Sequence, residues 1–302
     1  MAFYAPIPSA ALRVTGSDRV PFVHGQVSND VRGLATPGTC RSAILNAKGQ
    51  LEYDVRIYRR EADLYIHAHA DLGSALLERL QRYVVFDDVQ LSDITDKISV
   101  YHVSDDITSS LGFAGGVQLL PSDFGTLLIA TVARGFAGGA DVHVLRDHAA
   151  ALEDLLMVRG TLLSPQDLEL ARLRAGLPDA HLDGFLERLP QECGLENAVS
   201  YKKGCYIGQE IMARLEARGN PRYALQRVAL SVLAPVGSAV TQNGKNVGQL
   251  GANLQDGDEV IGLAVLRCDL ELDAVLEVEG ARLRVLETEA IAGEASLAPT
   301  GD

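Results

Sequence analysis

The residues best suited to chemistry lie in Lys202-Lys203-Gly204-Cys205-Tyr206-Ile207-Gly208-Gln209-Glu210, running on to Arg214. A thiol, a basic pair, a phenol, an amide and a carboxylate share this segment with two glycines. Segments that only build a core have little use for that mixture, because buried polar groups without partners are costly and glycine weakens regular elements. Gly204 and Gly208 allow a sharp turn or a close backbone approach. A lysine ammonium and backbone amides that face Cys205 would favour its thiolate. Gly208 to Leu215 reads as a loop feeding a short helix, which would aim free N–H groups back at the loop. A lone cysteine beside a lysine is, on composition, an ordinary structural thiol; the string as a whole is more specific than its parts.

Such a loop needs a scaffold, and 302 residues with 47% apolar content suffice for two or three domains. The formal charge of −13 argues against a broad surface for nucleic acid or anionic membrane. Four cysteines (Cys40, Cys193, Cys205 and Cys268) are scattered without a C-x-x-C pair, as expected of free thiols in a reducing compartment. The opening Met-Ala-Phe-Tyr-Ala-Pro has neither a basic start nor a long apolar run, and no apolar segment is long enough to span a bilayer. A cytoplasmic protein is expected.

Patterning predicts strands at Leu12–Thr15, Cys40–Leu45, Gln50–Arg59 and Leu64–Ala70, the second and third joined by a hairpin loop at Asn46-Ala47-Lys48-Gly49. Helices are predicted over Asp18–His24 and Asp71–Val84. Strands at Val100–Val103, Thr126–Val132 and Val142–Leu145 precede a helix at Ala149–Val158. Gly115-Gly116 and Gly138-Gly139 lack the spacing and following Lys-Ser/Thr of a phosphate loop, and are read as turns. Ser164-Pro165-Gln166-Asp167 opens a helix that Gly176 and Pro178 end. From Leu225 onward, short alternating strands separated by glycine turns predict a small barrel or sandwich.

The string Lys203-Gly204-Cys205-Tyr206-Ile207-Gly208-Gln209-Glu210-Ile211-Met212-Ala213-Arg214 resembles the K-G-C-Y-x-G-Q-E-x-x-x-R signature of the YgfZ family, folate-binding relatives of the glycine-cleavage T-protein. Other segments resemble that family in the same order from Gly16 to Leu225: Gly16, Asp18, Phe22, Gly25-Gln26 and Ser28-Asn29-Asp30-Val31; Leu45-Asn46-Ala47-Lys48-Gly49; Arg82-Tyr83-Val84; Arg172 to Pro178; Pro190 to Leu195; and Arg218 to Leu225. In the barrel region Val247-Gly248 and Ile261-Gly262-Leu263-Ala264 are similar to family steps.

The resemblance implies an α+β protein with two α+β lobes and a C-terminal β-barrel in a three-lobed ring around a central folate channel. The expected division is a lobe over 1–95, a second over 96–159, a linker helix and signature segment over 160–223 returning to the folate-binding core, a barrel over 224–290 and a frayed tail over 291–302. It implies tetrahydrofolate or another reduced folate as cofactor. A pterin presents N–H groups that suit a carboxylate, so Glu192 is its candidate, with Glu196 and Glu210 as weaker ones. The carboxylates of a folate tail suit arginine, so Arg214, Arg218 and Arg222 are theirs. Asn29, Asp30, Tyr206 and Gln209 join the expected binding set, and Gly204 and Gly208 shape its backbone.

The function implied is a folate-dependent accessory role in assembling or repairing iron–sulfur clusters of client proteins, with Cys205 as working thiol and Lys203 beside it. One cysteine cannot hold a cluster alone, so partners or small thiols must complete a transient ligand set. Two alternatives stay open: an aminomethyltransferase, and a folate-binding scaffold without turnover. Against the transferase, T-proteins carry D-F-I-G-R-E where Cys205 to Glu210 stand, and Ile66-His67-Ala68-His69-Ala70-Asp71 lacks their asparagine. No resident metal is expected. His67 and His69 share a strand face, but neither they nor His143 and His148 have an acidic or cysteine partner at recognised spacing.

Overall fold

Three β-structures carry the chain in a computed structural model, which describes residues 2–219, 221–270 and 275–286. The tail expected over 291–302 and the side chain of Arg218 lie outside the described residues. The elements run β1 (Phe3–Pro6), β2 (Ser9–Thr15), α1 (Arg19–Gln26), β3 (Gly38–Leu45), β4 (Leu51–Arg59), β5 (Leu64–His69), α2 (Gly73–Gln81) and β6 (Gln90–Asp93). There follow β7 (Ile98–Val103), α3 (Asp105–Ser110), β8 (Val117–Ser122), β9 (Gly125–Thr131), β10 (Ala140–Leu145), α4 (Arg146–Arg159), β11 (Thr161–Leu162) and α5 (Pro165–Arg174). The last are α6 (Gln209–Arg218), β12 (Tyr223–Leu230), β13 (Ala239–Gln242), β14 (Lys245–Asp256), β15 (Glu259–Arg267), β16 (Leu276–Val278) and β17 (Ala281–Val285).

The first sheet has the order β3-β4-β5-β2-β6 and is antiparallel throughout. One face packs Leu12, Val14, Ile57 and Ile66 against Leu76 and Leu80 of α2 and Phe22 and Val23 of α1. The other presents Ala11, Tyr58 and Tyr65 to Leu128 and Ala130 of the second sheet and to Val132 just past the end of β9. Strand β5 is therefore buried on both faces as far as Ala68, His67 included.

The second sheet has the order β11-β1-β7-β10-β9-β8. Strand β1 pairs with β7, so Phe3–Pro6 contribute to this sheet and not to that of the surrounding 1–95 segment. Its helix α4 buries Leu152 and Leu156. Strands β12-β15-β14-β13-β16-β17 close a barrel around Val228, Val240, Leu250, Ala264 and Leu283. Closure leaves no free sheet edge.

Helix α5 starts as its sequence predicts. Ser164 accepts from the Asp167 N–H, the Asp167 carboxylate accepts from the Ser164 backbone, and Pro165 holds the first turn. After α5 the chain has little regular structure until α6. This segment packs Ala180, Phe185, Cys193, Leu195 and Ala198 against Ala43, Leu45 and Leu51 of the first sheet and Val265 of the barrel. It mortars sheet to barrel, and it carries the candidate site.

Candidate functional site

Two stretches about 170 residues apart are knitted together here. Lys203 is buried, and its ammonium donates to the carbonyl oxygens of His24 (2.5 Å), Val27 (2.6 Å) and Asn29 (3.0 Å). These are the carbonyls at and beyond the C-terminal end of α1, which no intrahelical N–H can satisfy. Burial lowers the lysine pKa to about 8, with Asp30 acting in the opposite sense. Ser28 completes the join: its hydroxyl donates to the Ala198 carbonyl at 2.6 Å, accepts the Ala43 N–H, and its own carbonyl accepts the Ser200 N–H. Asn29 donates to the carbonyls of Arg41 and Asn197. Asp30 accepts the Gly33 N–H and stands 3.4 Å from His24 Nδ1. His24 is buried, and burial followed by the Lys203 charge holds its pKa below the usual imidazole value.

With Lys203 anchored inward, the chain turns out again through Gly204, and Cys205 is an exposed free thiol. Tyr206 turns back in. Its ring lies under the Lys203 ammonium at 4.7 Å, while its buried hydroxyl has no partner among the described residues. Burial pushes that phenol up to about 12. Gly208 has φ +86° and caps α6 at its N-terminal end. A Cβ there would lie 2.8 Å from the Asn46 carbonyl oxygen and 3.1 Å from the Gly49 Cα. Gly49 in turn meets Ile211 and Met212 of α6. The hairpin loop and the signature loop thus fit only as backbone against backbone.

A hollow of 190 Å³ opens beside this loop, lined by Gln191, Tyr201, Leu215, Glu216, Gly219 and Pro221. Gln191 donates to the Tyr201 hydroxyl at 2.7 Å and to the Met212 sulfur, but its buried Oε1 accepts nothing among the described residues. Of the two orphaned buried polar atoms, Gln191 Oε1 belongs to a lining residue, whereas Tyr206 is not part of the lining. An unused buried acceptor such as Gln191 Oε1 is what a ligand bearing N–H groups would satisfy.

Glu192 is half-buried on the short helical turn Pro190–Cys193. Burial raises its carboxyl pKa, opposed by the Arg188 and Arg222 charges. Arg188 Nη1 is 3.9 Å from the Glu192 carboxylate, and its Nε donates to Gln249 at 2.8 Å. Two guanidinium groups approach the Tyr223 ring, Arg188 at 5.4 Å and Arg222 at 5.7 Å from its centroid. Of the arginines expected to meet a folate tail, Arg222 is thus beside Glu192. Arg214 instead pairs with Glu210 one helical turn away at 2.5 Å, both exposed. Gln209 begins α6 at intermediate burial. Arg188, Gln191 and Tyr201 are contributors the sequence did not single out. Gln191 and Arg188 flank the expected Glu192, but nothing in their spacing reveals a buried amide with one unused oxygen.

Glu192, Arg188 and Arg222 gather a carboxylate and two guanidinium groups, the types that would suit the N–H edge and the tail carboxylates of a folate, while the hollow itself is lined by other residues. Residues 224–291 match the family model described as the CAF17 C-terminal beta-barrel domain. A protein of Yersinia enterocolitica named tRNA-modifying protein YgfZ is 29% identical over 286 residues, 89% of this chain and 85% of that protein. Its namesake from Yersinia pseudotuberculosis is 27% identical over 292 residues, 92% and 88% of the two chains. The crystal structure of glycine cleavage system aminomethyltransferase T from Bartonella henselae superposes with a TM-score of 0.79 at 17% identity, covering 95% of this chain and 85% of that one. The chain is a homologue of the YgfZ proteins, built on the aminomethyltransferase fold and closed by a barrel of the CAF17 type.

Proposed function

We propose that the protein binds a reduced folate beside Glu192, Arg188 and Arg222 and uses the exposed thiol of Cys205 to support iron–sulfur clusters in client enzymes. The observation that carries this reading is the contrast within one segment: Lys203 and Tyr206 are buried and Gly208 is backbone-locked, while Cys205 between them stands free in solvent. A thiol held outward on a braced loop can ligate or exchange with a partner's group.

Folate would be held by Glu192 on its pterin edge and by Arg222 on its tail, and it supplies a one-carbon carrier when bound. The chain's own residues bind and orient it, and Tyr206 walls the site on the side of the thiol segment. The relatives' name refers to tRNA modification. A chain of net charge −13 is poorly suited to hold tRNA itself, so that link fits a client enzyme better than direct contact.

A titration with tetrahydrofolate tests the binding half. Wild type should saturate, with Glu192→Ala and Arg222→Ala each weaker by at least about tenfold, as loss of a charged hydrogen bond costs 1.5–3 kcal/mol. Equal affinity in all three proteins refutes the pocket assignment. Cys205→Ala should keep folate affinity and lose support of client iron–sulfur enzymes; full client activity in that variant refutes the thiol's role.

A further inference from the structure

His69, Asp71 and His181 come together from two separate parts of the chain, with one donor atom from each lying within 4.8 Å of the others. The Asp71 Oδ2 is 3.6 Å from His69 Nδ1 and 3.8 Å from His181 Nε2, and the two imidazole rings have centroids 4.4 Å apart. We propose that these three side chains form a site for a divalent transition-metal ion, Zn2+ in the first instance.

The donors suit that chemistry. Two neutral imidazoles and one carboxylate match Zn2+, Fe2+ or Co2+, whereas Mg2+ and Ca2+ require mostly oxygen. Bond lengths of about 2.0–2.2 Å in a tetrahedral site put ligand atoms roughly 3.4 Å apart. The observed 3.6 and 3.8 Å separations from Asp71 need closure of a few tenths of an ångström, and the two imidazole donors, within 4.8 Å of each other, need a side-chain shift of up to about 1.4 Å. His69 Nδ1 also receives a long 3.4 Å contact from the Asp71 N–H. The metal would take that lone pair, and a hydrogen bond of that length is a small loss.

The ligands are held by rigid neighbours. His69 ends β5, paired opposite Ser9 of β2, and Asp71 sits in the single helical turn Ala70–Leu72 that follows. His181 stands in a tight turn whose N–H is bound by the Asp179 carboxylate at 3.0 Å and whose carbonyl accepts the Gly184 N–H. That turn is fixed in place by the buried Asp183, which Arg172 grips with two hydrogen bonds of 2.9 Å. The side chains of His69 and His181 are 24% and 27% exposed and that of Asp71 is 76% exposed. Three protein ligands on an accessible surface leave at least one coordination position for water or another ligand, as in an open site. Gln249 joins this turn to the folate-side cluster, donating to the Gly184 carbonyl and accepting from Arg188.

The alternative is an ordinary histidine–aspartate contact with no metal affinity. Chelator-stripped full-length protein, titrated with Zn2+ near neutral pH against a chromophoric competitor, decides between them. The exposed thiols are removed by Cys205→Ser and Cys268→Ser, since either could bind the ion by itself. The expected result is one Zn2+ per chain in that double variant. Adding His181→Ala or Asp71→Asn should weaken binding at least about tenfold, because even partners behind the ligands commonly cost that much. Co2+ in the double variant should show visible ligand-field bands without sulfur charge-transfer absorption. Asp71 is exposed, so Asp71→Asn should keep the urea midpoint and decides the matter even if His181→Ala folds poorly. Binding that vanishes with the cysteines, or that is indifferent to Asp71→Asn, overturns the site.

Discussion

The ammonium of Lys203 lies 2.6 Å from the carbonyl oxygen of Val27, and this contact ties the signature segment to the end of α1. Together with the carbonyls of His24 and Asn29 it uses all three ammonium protons. Lys203 is therefore a strut under the thiol loop, with no proton left to donate to Cys205. Lys203→Met removes every donor and strands buried carbonyls, each costing about 1–3 kcal/mol if left unpaired. Some of that is returned because a buried charge is also removed. Urea unfolding should show a net loss of about 1–3 kcal/mol, while Cys205→Ser, an exposed change, should stay within about 0.5 kcal/mol. Equal midpoints for wild type and Lys203→Met would sink the strut.

The sequence motifs carry residue types but not their directions. Gly208 was legible as a special backbone position, and Ser164-Pro165-Gln166-Asp167 as a helix start, because each rule is local. Arg214 and Glu210 were candidates for ligand contact, yet spacing of four residues on α6 pairs them with each other. Strand β8 lacked a clear alternation because it is an edge strand with little burial, and it tolerates Pro121 there. Strand β1 was missed because four residues carry almost no periodic signal. His181 could not be connected to Asp71 without the fold, since only the packing of the 175–208 segment brings them together.

The two signature glycines should differ sharply on substitution. Gly208 has φ +86° and its missing Cβ would strike the Asn46 carbonyl oxygen at 2.8 Å. Gly208→Ala should cost about 2 kcal/mol or more, from a strained left-handed backbone plus displacement of the hairpin loop. Gly204 would place its Cβ no nearer than 3.8 Å from His24 Nε2, so Gly204→Ala should be nearly neutral in stability. Thermal melts of the two variants measure the difference, and equal losses would contradict the backbone-to-backbone fit.

Thiol accessibility divides the cysteines. Cys205 and Cys268 are exposed, Cys40 is partly buried and Cys193 is buried. Burial raises the thiol pKa of Cys193 and of Cys40, which further suppresses their thiolates. Cys268 is also raised, by partial burial and by Asp269, and its thiol donates to the Pro221 carbonyl at 3.3 Å. A native-state titration with an aromatic disulfide reagent should therefore label two thiols before denaturation and four after it. Cys205→Ser should remove the faster of the two native reactions. Prompt labelling of Cys193, or a silent Cys205, would contradict the burial pattern that underlies the functional reading.

Acid should loosen the contact between the two sheets. His143 is buried there, hydrogen-bonded to the Tyr65 hydroxyl through Nδ1 at 3.1 Å and to the Tyr58 hydroxyl through Nε2 at 3.0 Å. Burial lowers its pKa from 6.5 to about 4, against the opposing Asp141 charge. His67, whose ring lies 5.5 Å away and whose Nε2 has no partner among the described residues, is held well below the usual imidazole value by burial and then by His143. Both folded values lie below the unfolded value, so the unfolded chain takes up these protons first. Their contribution is complete above about pH 6.5 and is lost as pH falls toward 4, by about 3 kcal/mol for His143 alone. His67→Leu fills the same apolar setting without a titrating ring. Its urea midpoint should fall less steeply than that of wild type between pH 6.5 and 4, because it removes one group that the unfolded chain protonates and the folded chain does not. Parallel pH profiles for the two proteins would place the acid sensitivity outside this histidine pair.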